Sequence, residues 1–144
     1  MKRVALLSVV ALMFASAVFA PVAMAQTPGA GEVDIQTVTL GPGGSLEVTG
    51  TIVCEPGADY GIFLEARQTQ GNQPVKFGEG QTDFFVDCQG TDVQLQSFTV
   101  HVLPAPGSKP FRKGEVVLSG FSDFCGPSLC DVVQIGPEVF EVPK

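Results

Sequence analysis

The chain has no tryptophan, one tyrosine (Tyr60) and one histidine (His101). These scarcities limit the chemistry available to it. A Ser-His-Asp triad would have to recruit His101, which lies between Val100 and Val102 on the polar side of an alternating run. No Gly-x-Ser-x-Gly elbow accompanies it. The Asp-x-Asp-x-Asp-Gly spacing of a calcium loop is also missing, so Glu55, Asp59, Asp87 and Asp92 read as solvated turn acids. Asp83 and Asp87 carry no mark of a buried carboxylate pair. The expectation is a protein that is not an enzyme, with no catalytic residue, metal or cofactor.

Beyond residue 25, no stretch spaces its apolar residues three and four apart over the ten or so positions a helix needs. That excludes helical bundles and α/β layers. Positive charge is scarce as well, with fifteen acidic residues against eight basic ones. An acidic surface repels nucleic acid phosphates and anionic lipid, so nucleic acid is not an expected partner.

What is present begins with Met1-Lys2-Arg3, an apolar run to Phe19, and Ala23-Met24-Ala25 before Gln26. A basic start, an apolar middle and a small-x-small site make a secretory signal peptide over residues 1–25. Pro21 interrupts the run and no charged stop-transfer flank follows, so no membrane span is expected after cleavage. No cysteine follows the run to carry a lipid anchor. Loss of Lys2 and Arg3 leaves six bases against fifteen acids, a net charge of −9 on 119 residues. That length supports one domain. The expected organisation is a flexible leader at 26–32 and a single domain at 33–144, secreted, or periplasmic if the host has an outer membrane.

Leu46-Glu-Val-Thr-Gly-Thr-Ile-Val-Cys54 organises the domain. Leu46, Val48, Ile52 and Cys54 share one face at period two, and Glu47, Thr49 and Thr51 share the other, which describes a strand with one buried side. Similar alternation recurs around Ile62, Leu64 and Ala66, around Phe84, Val86 and Cys88, around Phe98, Val100 and Val102, and around Val116, Leu118 and Gly120. Between 33 and 40 the parity slips at Gln36-Thr37, which suits a bulge or a strand that changes sheet. Residues 68–80 read as a polar connection or weak edge strand anchored by Val75 and Phe77. Pro104 to Pro110 is a crossing loop ending in the basic pair Arg112-Lys113. Residues 131–135 and 139–142 read as strands interrupted by Gly136-Pro137. About seven short strands separated by Gly and Pro predict an all-β, antiparallel Greek-key sandwich of immunoglobulin-like architecture.

All four cysteines follow residue 25, and export implies an oxidising compartment, so two disulfides are expected. Three pairings are possible. Cys54 and Cys88 both point inward on their strands, which favours Cys54–Cys88 with Cys125–Cys130. Zinc is the rival reading, but the Cys125/Cys130 spacing fits a ligand pair only loosely.

The candidate binding patch is Phe63, Phe77, Phe121, Phe124, Pro127 and Leu129, clustered around a tip closed by Cys125 and Cys130. A stapled tip has already lost much of its freedom, which lowers the ordering cost of binding. A small exported sandwich with this late Cys-x4-Cys hairpin, spanning Phe121 to Val133, resembles the neocarzinostatin-type chromoprotein apoproteins. Those are bacterial immunoglobulin-like carriers of a reactive polyene chromophore; their tryptophan before the late cysteines is absent here. The chain also resembles uncharacterised secreted bacterial immunoglobulin-like domains. In those, a strand ends in Cys, a second Cys follows some thirty residues on, and Phe-x-x-Gly precedes a Val-rich strand, here Phe111-Arg-Lys-Gly114-Glu-Val-Val. The expected function is a non-catalytic module that binds an extracellular protein, surface or small molecule, or fills a structural role. A small-molecule carrier and a protease inhibitor presenting residues 126–129 are the alternatives.

Overall fold

The structure, a computed structural model, describes residues 29–83, 85–127 and 129–143. The expected signal peptide, most of the leader, and Phe84 lie outside the described residues. Eight strands follow one another: β1 (Val33–Leu40), β2 (Leu46–Cys54), β3 (Asp59–Gln68), β4 (Lys76–Gln81), β5 (Val86–Asp87), β6 (Gln94–Pro104), β7 (Gly114–Cys125) and β8 (Cys130–Val142). The 3-10 turn Pro42–Gly44 separates β1 from β2.

Every ladder is antiparallel, and the hydrogen-bonded order is β1-β2-β6-β4-β3-β7-β8, with β5 on β3. One layer is β1-β2-β6; the other is β4-β3-β7-β8 with β5. Among the described residues, strand pairing links the layers only where Gly78 and Glu79 pair with Pro104 and Leu103. The chain changes layer between β2 and β3, between β5 and β6, and between β6 and β7. This is the Greek-key sandwich that the spacing predicts. The parity slip in β1 is a bulge between Ile35 and Thr37.

The core lies between the layers. β2 supplies Leu46, Val48 and Ile52, and β6 supplies Phe98, Val100 and Val102. From the facing layer come Tyr60, Ile62, Leu64 and Ala66 of β3 and Val116, Leu118 and Phe124 of β7. Both disulfides are formed as paired above, Cys54–Cys88 across 34 residues and Cys125–Cys130 across five. Cys54 ends β2 and Cys88 follows β5, so the first bridge clamps the two layers together at one end of the sandwich. Cys54 and Cys88 are both buried.

Three local readings change. Val75 and Phe77, expected as anchors, are 42% and 46% exposed, while Lys76 between them is buried. The inward positions of β4 are Lys76 and Gly78, because the loop residue Phe111 fills the space above Gly78. A Cβ on Gly78 would collide with both the Phe111 ring and the Leu103 carbonyl oxygen. Among the described residues of 82–88, only Val86 and Asp87 are strand; Phe85 adopts a left-handed φ of 55°. β8 runs unbroken past Gly136-Pro137, its register against β7 shifting between Leu118 and Gly120. The chain before β1 also joins the fold: Gly31 donates to the Val53 carbonyl, and the Ser122 hydroxyl donates to the Gly31 carbonyl at 2.7 Å.

Candidate functional site: an aromatic cleft on the outer face of the larger layer

Residues opposite one another in an antiparallel pair share a face. Phe63 of β3 pairs with Phe121 of β7, so both project from the outer side of the β4-β3-β7-β8 layer. Their rings stack at 5.3 Å between centroids, 26° from parallel. On that face they cover each other only in part, and both remain half-buried. Neither ring contributes to the core on the opposite side of the sheet.

Beside the pair lies a hollow of about 200 Å³ lined by Gly61, Ile62, Phe63, Gln81, Thr82, Asp83, Phe85, Phe121 and Asp123. Gly61 offers no side chain to fill it. Its far wall is the turn after β4. Thr82 locks that turn to β3, its amide donating to the Ile62 carbonyl while its hydroxyl accepts from the Ile62 amide, both at 3.0 Å. Phe85 then stands 61% exposed at the rim. A bulky side chain held at positive φ is an uncommon conformation, of the kind that collects at binding sites. Asp83 and Asp123 are both exposed at the edge of the hollow, and no base pairs with either among the described residues. The cleft is therefore aromatic on its floor and anionic at its edge.

The other members of the expected patch fall elsewhere. Phe124 faces inward, 5% exposed, against Gly31. Phe77 is on the same outer face as Phe63 but farther along it, under the Arg67 guanidinium at 5.7 Å, in a separate hollow with Glu65 and Glu79. Pro127 and Leu129 are exposed on the tip, with Leu129 72% accessible. The tip is tight, its Gly126 amide donating to the Leu129 carbonyl at 2.9 Å. Sequence reading missed Asp83, Phe85 and Asp123. The available signal was the Phe84-Phe85 pair: on a strand, adjacent aromatics cannot both enter the core.

His101 sits exposed on the outer face of the smaller layer, 4.0 Å from Glu47. Three or more metal-ligating side chains gather nowhere among the described residues. No helix among them is long and apolar enough to cross a membrane.

Fold and disulfides define the class: an immunoglobulin-like, antiparallel β-sandwich clamped between its layers and stapled at a hairpin. No family model matches the chain, and neither a curated protein nor a solved structure matches it.

Proposed function

We propose that the chain is a secreted, non-catalytic immunoglobulin-like binding module whose ligand is a small, flat, apolar molecule carrying positive charge, seated against Phe63 and Phe121. The stacked pair on the solvent side of a sheet carries this reading. Large aromatic rings on that side contribute nothing to the core, whereas a planar ligand laid on them buries apolar area on both partners. Asp83 and Asp123 then select charge, because an unpaired carboxylate at the edge of an apolar hollow favours a cation. The resemblance to chromophore carriers points the same way.

The test uses two fluorescent probes of opposite charge, the cationic acridine proflavine and the anionic anilinonaphthalene sulfonate. Anisotropy titrations should show proflavine binding in the micromolar range, with Phe121→Ala weakening it at least tenfold and the anionic dye binding far less. Equal binding of both dyes, or no effect of Phe121→Ala, removes the proposal. A second reading rests on the exposed Pro127 and Leu129 of the disulfide-closed tip, which suit a protease-inhibitor loop. Inhibition of a leucine-preferring serine protease, lost in Leu129→Gly, supports it; simple cleavage at the tip rules it out.

A further inference from the structure

Basic residues are few in this chain, yet all five among the described residues lie toward the end of the sandwich away from the disulfides, and four of them make no ion pair. Lys109, Arg112 and Lys113 are exposed on the loop into β7, and Lys76 lies buried at the start of β4. No carboxylate lies within ion-pairing distance of any of them among the described residues; the ion pairs there are Arg67 with Glu65 and His101 with Glu47. In a chain with fifteen acids, four unpaired cations in one place are a feature to be accounted for. Glu115, the acid nearest in sequence, pairs with none of them.

The cations are also held in place. Gln68, fully buried at the end of β3, donates from Nε2 to the Arg112 carbonyl at 2.6 Å and accepts the Arg112 amide on Oε1 at 2.9 Å. Gln70 Nε2 donates to the Lys113 carbonyl at 2.8 Å. The Phe111 amide donates to the Gly44 carbonyl at 2.9 Å. Lys76 Nζ donates to both glutamine Oε1 atoms, at 3.1 and 3.2 Å. The loop backbone is thus spent on neutral amide groups, leaving the cationic side chains for something outside the molecule. Burial pushes the Lys76 amine below the usual lysine range, and the positive charges of Arg112 and Lys109 push it further the same way. The two charges that act on the amine therefore lie close to it, on the loop that Gln68 and Gln70 hold.

We infer that the Lys109–Arg112–Lys113 end is a binding site for a phosphate-bearing polyanion. A planar guanidinium beside two ammonium groups on a pinned loop matches closely spaced phosphate groups. A lone phosphate would leave much of the cluster unneutralised. A broad anionic surface would meet the rest of the molecule, whose net charge is negative, whereas a thin polymer touches the basic end alone. The site is separate from the aromatic cleft and does not depend on it.

The experiment is retention of the purified protein on immobilised polyphosphate across a salt gradient, with inorganic phosphate titration, phosphatidylglycerol vesicle sedimentation and analytical ultracentrifugation of the protein alone. Retention at low salt should fall at least tenfold in R112Q/K113Q, and the slope of log affinity against log salt should drop by about two. Lys109→Gln is the milder variant should the double variant misfold, which far-UV circular dichroism reports; it should lower the slope by about one. Equal retention of wild type and variants overturns the assignment. So does inorganic phosphate binding as tightly as the polymer, or binding to vesicles without polyphosphate. Salt-sensitive self-association that accounts for the unpaired cations, with no polyphosphate retention, overturns it as well.

Discussion

Lys76 occupies a position that alternation reserves for an apolar side chain, and it is tolerated there because two glutamines accept its hydrogen bonds. Its depressed pKa sets a sign for stability against pH. Between the folded value and the ordinary lysine value of about 10.4, the unfolded chain binds the proton that the folded chain does not. Stability therefore rises as pH climbs through that window. Tyr60 acts in the opposite sense: burial lifts its phenol above the usual range, with the Gln96 hydrogen bond offsetting part of the rise. Above about pH 10 the unfolded chain loses that proton first, and stability falls. Urea midpoints between pH 8 and 11 should show Lys76→Met lacking the rise and Tyr60→Phe lacking the fall. Gly78 makes a different residue-level demand. An added methyl meets the Phe111 ring and the Leu103 backbone at once, so Gly78→Ala should destabilise by about 1–3 kcal/mol in urea unfolding.

Among the elements, the two disulfides differ in what they constrain. Cys54–Cys88 closes a 34-residue separation and joins the layers, while Cys125–Cys130 closes one of five residues at a hairpin tip. Loop-closure entropy predicts about 4 kcal/mol lost in C54A/C88A and about 2 kcal/mol in C125A/C130A, read from urea midpoints. The first bridge was legible in the sequence because β2 alternates cleanly and places its cysteine on the buried face. β3, β7 and the second half of β6 were legible for the same reason: one side packs and the other meets water. β4 was not. Its inward positions are a glycine beneath a loop phenylalanine and a lysine satisfied by glutamines, and its phenylalanine faces out, so the usual code is reversed. Continuity of β8 past Gly136-Pro137 was hidden because a bulge at a sheet edge reads locally as a stop. For the cleft, outward placement of Phe63 could be read from β3 alone. Its partnership with Phe121 depends on cross-strand register, which alternation within one strand cannot supply.

At the scale of the whole molecule, the bases among the described residues gather toward one end while acids occupy both, Glu65, Glu79, Glu115 and Glu141 lying on the side of the bases. Glu55, Asp59, Asp87, Asp92 and Asp131 cluster toward the disulfide end, and no base among the described residues joins them. The cleft lies on the Asp59 half of β3, and the unpaired cations lie at its Gln68 end. Along β3, Phe63 and Gln68 are five residues apart, roughly 16 Å at strand rise. At physiological ionic strength that is about two screening lengths of 8 Å, so the two ends should act independently. Neutralising Arg112 and Lys113 should change proflavine affinity less than twofold at 0.15 M salt. D83N/D123N should weaken proflavine at least fivefold while leaving polyphosphate retention unchanged. The reciprocal matrix of two ligands against two double variants distinguishes local recognition from bulk charge. If bulk charge governed cation binding, R112Q/K113Q would tighten proflavine by making the net charge more negative, and D83N/D123N would do the reverse to a similar degree. Unequal responses confined to the cleft variants are what local contact with Asp83 and Asp123 requires.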